Sequence, residues 1–318
     1  FAGWNSAQNG TGVHYTAGSS LTVNQSVILY ARWAESYPFT TPDEHRETVS
    51  VPALTITGSG SGGAEYGGVF ISGRTVTLSP YQIAKYETTY ELWYEVKTWA
   101  TSHGYTFANA GRGDILGTDG ATPTNANKTK PVIYISWWDA LVWCNAYSEM
   151  SGKTPVYTVS GATLKNATAA PTLDALDVTR SGYRLPTDAE WEAAARGGNP
   201  LNTTNWGYTY AGSSTIDNVA WYVDNSDGTT HPVGGKTANL LGLHDMSGNV
   251  FEWCWDWYGS IGTGEAVNPT GPSSGAEHVI RGGGWSYDST YCTVLRRRDD
   301  TANYTGHFLG FRVACKAE

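Results

Sequence analysis

The apolar positions of this chain change period as it runs, and each change marks an element. In residues 1–35 the turn signals Asn9-Gly10 and Ala17-Gly18 precede the run Val27-Ile28-Leu29-Tyr30-Ala31-Arg32-Trp33. That run has strand composition, so the stretch reads as a small β module. The tract TGSGSGGAEYGG, 57–68, has no period and closes a linker assigned to 36–68. From 69 to 318 the texture is that of one larger domain. Val69-Phe70-Ile71 and Val76-Thr77-Leu78 predict strands. Tyr90, Trp93, Tyr94, Val96 and Lys97 recur at helical spacing, with Gly104 as the stop. A second helix follows Pro131-Val132-Ile133-Tyr134-Ile135; Ser136 suits its N-cap, and Trp138, Leu141, Val142, Cys144 and Asn145 fall mostly on one face. In TDAEWEAAARGG, Thr187 and Glu190 fit a capping box and Gly197 the position past the last turn. Beyond Asn199 no period is sustained. The chain there reads as strands, turns and long loops, the usual carriers of function on a small scaffold.

Composition narrows the class. A length of 318 residues holds one large domain or two modest ones. Charged residues are only 15% while Gly reaches 38, Trp 14 and Tyr 20, which describes a loop-rich chain packed on aromatics. A net charge of -9 and a pI near 5.2 argue against nucleic acid or an anionic membrane as the main partner. No apolar run approaches the roughly 18 residues that a membrane span needs. Phe1 is not an initiator Met and no signal peptide is visible, so any targeting signal or membrane anchor is expected outside this chain. Cys144, Cys254, Cys292 and Cys315 make no CxxC pair and no zinc spacing, and they leave disulfides open.

Six ordered segments carry a family resemblance: YQIAKYETTYELW, PVIYISWWDALVWCNAYS, GYRLPTDAEWEAAARGG, GLHDMSGNVFEWCWDWY, VIRGGGW and LGFRVA. They cover about 69–314 and resemble the formylglycine-generating enzyme/sulfatase-modifying family, a branch of the C-type lectin fold. The resemblance implies an α+β, loop-rich domain with two main helices and short twisted sheets. It leaves the activity open, because this scaffold serves catalysts and binders alike. The opening pattern Phe-x-Gly-Trp-Asn, Gly-Thr-Gly and Leu-Tyr-Ala-Arg-Trp is similar to the Listeria-Bacteroides β-grasp-like repeat of bacterial surface proteins, which implies a cell-surface or secreted location.

The resemblance also states what catalysis would require. Family members that oxidise a substrate cysteine hold copper between two cysteines five positions apart, a pairing that suits soft Cu(I). The second of these falls on Cys292, but the first falls on Tyr287, and a phenol does not replace a thiolate. The iron-dependent sulfoxide-synthase branch needs an early histidine cluster, whereas His103, His231, His244, His278 and His307 are scattered. Cys292 is therefore expected to be a small buried apolar group.

The frame VIRGGGW…C…LGFRVA is also similar to the variable region of proteins diversified by retroelements. In those systems adenine-directed mutagenesis rewrites Asn codons of the AAY type, whose products never include Lys, Glu, Gln, Met or Trp. The window 286–308 contains none of these five types. They make up 41 of the 318 residues, so about three would be expected there by composition alone. The resemblance implies a diversified ligand-binding set at Ser286, Tyr287, Asp288, Ser289, Thr290, Tyr291, Leu295, Arg297, Asp299, Asp300, Asn303, Tyr304, Gly306, His307 and Phe308. The chemistry agrees: tyrosines give stiff contact area at low entropy cost, and arginines and aspartates add donors and acceptors, as in an antibody paratope.

By the same resemblance, a structural calcium ion would take oxygens from Asp245, Gly248, Val250 and Glu252, and a second from Asn218, Val219, Asp227 and Thr229. The alternating Trp253, Trp255 and Trp257 are expected to be core beneath the loops. Arg184 and Arg281 are expected to tie loops to carbonyls or carboxylates inside the domain. The Arg-Gly-Asp tripeptide at Arg112-Gly113-Asp114 is taken as fortuitous. The expected molecule is thus a monomeric, non-catalytic receptor or adhesin that displays a diversified surface to protein or other macromolecular ligands. No cofactor is required, and structural calcium is the one ion the resemblance admits. The alternatives are a formylglycine-type oxidase and a calcium-dependent carbohydrate-binding lectin.

Overall fold

The computed structural model describes residues 3–6, 14–15, 20, 22, 26–32, 39–60, 67–199, 201 and 206–317. At the N-terminus three short antiparallel strands, Gly3–Asn5, His14–Tyr15 and Tyr30–Arg32, pair with Gly3–Asn5 in the middle. Among the described residues 27–32 of the predicted strand, Tyr30–Arg32 forms it, and Ile28 is exposed. The Asn9-Gly10 and Ala17-Gly18 turns, and Trp33, lie outside the described residues.

The linker assigned to 36–68 needs correction. Strands Thr48–Val51 and Leu54–Thr57 lie within it, and Val51, Leu54 and Ile56 are buried in the core. Thr48–Val51 pairs antiparallel with Tyr81–Ala84, which on its other side takes Ala314–Lys316, so the C-terminus closes against the domain's first strands. Leu54–Thr57 pairs with Arg74–Leu78, which also carries Gly264–Val267 in parallel. The strand expected at Val76-Thr77-Leu78 is therefore present, whereas Val69-Phe70-Ile71 makes bends and one isolated bridge.

Helix α1 spans Tyr90–Ser102. Thr89 caps it through Leu92 N, and Gly104 takes up φ 81° just past its end. Tyr94 and Lys97, predicted on its apolar face, are only half-buried, and Glu95 is buried instead. The Glu95 carboxylate accepts bonds from the backbone N–H groups of Thr40 (2.6 Å) and Thr41 (2.8 Å), which pins the incoming chain. Helix α2, Trp137–Met150, starts at a capping box between Ser136 and Asp139. Every residue of α2 but Glu149 is buried, so the single apolar face expected from its pattern is replaced by burial all round. Helix α3, Asp188–Ala195, has the predicted Thr187–Glu190 box, and Gly197 follows it at φ 87°. All eight residues of α3 are buried.

A four-stranded sheet in the order Arg297–Asp300, His278–Arg281, Phe251–Trp257, Leu309–Gly310 carries the site. Its first two pairings are antiparallel and the last parallel. Trp253 is fully buried, as expected, but Trp255 and Trp257 are half-exposed. The four cysteines are buried thiols, none in a disulfide.

Candidate ligand-binding surface

The segment between Gly282-Gly283-Gly284-Trp285 and Leu309-Gly310-Phe311 is built on buried charge. Arg281 ends the strand His278–Arg281 with its guanidinium on Asp188 (2.6 Å) and Glu192 (2.5 Å), while Nη1 donates to the carbonyls of Val294 (3.0 Å) and Arg296 (2.8 Å). Arg297 places Nε 2.6 Å from the other oxygen of Asp188 and donates to the Gly259 carbonyl at 3.0 Å. Burial alone would raise the Asp188 carboxyl, but Arg297 and Arg281 outweigh it and hold it below its usual range. Arg184 likewise forms a two-pronged pair with Glu190 (2.6 and 2.7 Å) and bonds the Leu185 carbonyl, as expected of it.

Gly282 and Gly283 then turn the chain at φ 95° and 78°. A Cβ on Gly283 would lie 2.7 Å from Cys292 Sγ, so only glycine lets the short turn Ser289–Cys292 pass this close. Asp288 caps that turn through Thr290 N at 2.9 Å. The Cys292 thiol is buried, and its burial pushes its pKa up to about 12.

From this frame a set of aromatic side chains rises. Tyr287 meets Phe251 edge-on (5.0 Å between centroids), Tyr291 (5.1 Å) and Phe308 (5.1 Å), and Tyr304 leans on Phe308 (5.9 Å). The Arg298 guanidinium lies 5.6 Å from the Tyr287 ring and 5.3 Å from that of Tyr291. Asp288, Thr290, Asn303 and Tyr304 are exposed; Ser286, Tyr287, Ser289, Tyr291, Leu295, Asp299, Asp300 and His307 are half-buried.

Four members of the implied set are placed differently. Arg297 is 1% exposed and belongs to the buried ion-pair cluster. Gly306 is buried against the Tyr304 ring, and Phe308, at 9%, forms the floor of the surface. Leu295 packs against the apolar cluster that contains Val279, Cys254 and Val294. Arg298, which the set omits, is half-buried against the Tyr287 and Tyr291 rings instead. Successive residues of the strand Arg297–Asp300 point to opposite faces, so 297 and 298 cannot share one.

The backbone of the segment is held from outside. Val223 N donates to Tyr287 O (3.0 Å), Trp137 N to Ala302 O (3.1 Å), Tyr134 N to Gly306 O (3.1 Å) and Phe251 N to Phe308 O (2.7 Å). Trp285, the clamp residue, donates its indole N–H to His307 O (2.9 Å) and its backbone N–H to Asn249 O (2.8 Å). These bonds engage main chain, so the exposed side chains above them carry little of the fold.

Several side chains of the two implied calcium sets are engaged by protein donors. Glu252 gives both carboxylate oxygens to Arg312 (2.7 Å each), and Trp191 Nε1 adds a bond at 2.7 Å. A cation there would compete with a buried guanidinium, although Asp245 does keep Oδ1 without a partner. Gly248 and Val250 are buried beside them, with Val250 N bound to Glu87 (3.0 Å). In the second set Lys130 Nζ already reaches Thr229 Oγ1 (3.3 Å), Asp227 is exposed, and Asn218 and Val219 sit at the end of a short 3-10 turn. The tripeptide is also engaged internally, Arg112 with Asp119 (2.5 Å) and Asp114 with Lys130 (2.7 Å).

Three capped helices and several small sheets, arranged to hold an irregular displayed segment, define the formylglycine-enzyme type of the C-type lectin fold. The chain belongs to the sulfatase-modifying factor enzyme 1-like domain family, whose model matches residues 27–317. Among curated relatives, the chaperone protein LppX of Paenibacillus barcinonensis is 32% identical over 266 residues, 76% of this chain and 82% of that one. The formylglycine-generating enzyme of Streptomyces coelicolor is 32% identical over 201 residues, 59% of this chain and 53% of the enzyme. Among solved structures, Treponema denticola variable protein 1 superposes with a TM-score of 0.66 at 31% identity, covering 85% of this chain and 95% of its own. CarF gives 0.67 at 28% identity over 86% and 98%.

Proposed function

We propose that this protein is a non-catalytic receptor whose diversified surface, centred on Tyr287, Tyr291, Arg298 and Tyr304, binds macromolecular ligands, chiefly proteins. The observation that carries this reading is the separation of labour within 284–308. The main chain is bonded by Val223, Trp137, Tyr134, Phe251 and Arg281, all outside the segment, while the aromatic and charged side chains project from it. A surface built this way changes its side chains without changing its backbone. The similarity to a variable protein supports the same reading. Catalysis in the manner of the formylglycine-generating relatives would need a reactive thiolate at Cys292. That thiol is buried behind Gly283 with its pKa pushed up to about 12, and Tyr287, five positions earlier, is engaged in three ring contacts.

The reading places the protein at a bacterial cell surface or in the secreted fraction, acting as a monomer. Its test is a display library randomised at Tyr291, Arg298, Asn303 and Tyr304 and selected against a model protein. Most members are expected to fold, and binders are expected to emerge. Loss of folding across the library would overturn the proposal, as would formylglycine formation by the copper-loaded protein on a sulfatase-derived peptide.

A further inference from the structure

At the end of the core sheet away from Tyr287, two strands across from Asp300, the chain forms a cleft that the receptor reading does not use. Phe251, at one end of the strand Phe251–Trp257, supports Tyr287; Trp257, at the other, lines a cleft of about 700 Å³. A strand of this length puts the two about 20 Å apart. The walls are Trp137, Trp138, Trp255 and Trp257, and the loops 170–176 and 270–274 complete the rim. Trp257 is held in place: its ring stacks on His278 at 3.8 Å, and His278 stacks on Trp137 at 3.7 Å. Trp255 is stacked on Tyr157 at 5.3 Å. Trp137 and Trp138 are buried behind, and the stacking keeps the half-exposed Trp255 and Trp257 rigid, at an entropy cost met on folding and not on binding.

We propose that this cleft binds a neutral oligosaccharide, without calcium. The chemistry of the lining selects that class. Flat indole faces offer apolar area to the CH faces of pyranose rings. Around them the hydroxyls of Thr172, Thr270, Ser273 and Ser274 offer donors and acceptors to ring hydroxyls. A purely apolar ligand would leave that rim unsatisfied. The only carboxylate in the lining is Asp174, whose two oxygens already accept the backbone N–H groups of Ser160 (3.1 Å) and Gly161 (2.8 Å). It is poorly placed to serve as counter-ion to a quaternary ammonium. No lysine or arginine lines the cleft, which disfavours phosphates and carboxylates.

His278 adds an independent indication. Its Nδ1 donates to the Trp255 carbonyl at 3.0 Å, so Nε2 is a lone-pair acceptor, and this buried atom has no partner. Burial holds the ring neutral, with its pKa lowered to about 4. A hydroxyl-rich ligand fits an acceptor of this kind better than an anion does. The volume exceeds that of a single sugar ring, so the expected ligand has two or three.

The test titrates chitotriose, cellotriose, maltotriose and laminaritriose into the full chain in chelator buffer, reading indole fluorescence and heat. At least one is expected to bind with a Kd of about 1 mM or tighter. Trp257→Ala should weaken that binding about tenfold. Ser274→Trp, which fills the mouth of the cleft from an exposed position, should weaken it similarly while leaving the melting temperature unchanged. Tyr291→Ser should leave it unaffected, which separates this site from the diversified surface. Four results would each overturn the proposal: no response to any trisaccharide up to about 10 mM, binding abolished by the chelator, binding insensitive to Ser274→Trp, or a response to tetramethylammonium alone.

Discussion

Asp188 shows how one residue decides what its neighbours can do. It accepts from both Arg281 and Arg297, and together they bury two guanidinium groups at 0% and 1% exposure. Removing one partner of such a cluster leaves charge uncompensated. Arg297→Met is therefore expected to cost about 3 kcal/mol in urea unfolding. Arg298→Ser, one position along, should cost no more than about 1 kcal/mol because it loses only ring contacts at a half-exposed site. Equal losses would contradict the assignment of 297 to the core and 298 to the surface. Asp256, buried nearby, has its carboxyl pushed up to about 8, first by burial and then by Asp188. The folded state thus keeps a proton that the unfolded chain has released, and this group's contribution to stability falls as pH rises from about 4 to about 8. Asp256→Asn retains an acceptor for Asp188 N, bonded at 2.9 Å, and should remove that part of the slope. Parallel pH profiles for the two proteins would refute it. At this scale the sequence identified residue types but not their facing: three consecutive arginines look alike until the strand alternates them.

The helices and the glycine clamp were legible at the scale of single elements because their signals are local. Ser136, Thr187 and Glu190 satisfy backbone donors within four residues of themselves, so their roles follow from spacing. Gly283 is of the opposite kind, since its constraint comes from Cys292 passing at 2.7 Å from where a Cβ would lie. Gly283→Ala combines that clash with a positive φ and should lower stability by about 2–4 kcal/mol; a variant melting like the parent would show that the turn relaxes freely. The strand Leu54–Thr57 was hidden by its surroundings. Leu54-Thr55-Ile56-Thr57 alternates cleanly, but a Gly/Ser tract follows, and its pairing partner begins only at Arg74. Around Asp245 and Glu252 the family pattern suggested calcium, whereas Arg312 takes Glu252. A chelator should accordingly leave the melting temperature within about 1 °C of its value, and a drop of several degrees would restore the calcium reading.

Across the whole molecule the boundaries of the folded unit are set by closure. Tyr81–Ala84 is flanked by Thr48–Val51 on one side and Ala314–Lys316 on the other, so both ends of the domain meet on one strand. A chain beginning at residue 39 should melt like the parent. One beginning at residue 69, the boundary that composition suggests, should lose cooperative unfolding because it lacks two strands and the buried Val51, Leu54 and Ile56. Equal melting of the two truncations would show that these strands are dispensable. The sequence by itself determined two helix starts, at Ser136 and Thr187, and, through the family motifs it carries, the α+β class and the glycine frame around 282–310, because caps and motifs are written in short-range spacing. Only the tertiary structure decided which arginine is buried, where the domain begins, and that two of three alternating tryptophans line a cleft. Each of those outcomes depends on what a distant segment packs against, and no local pattern records its partner.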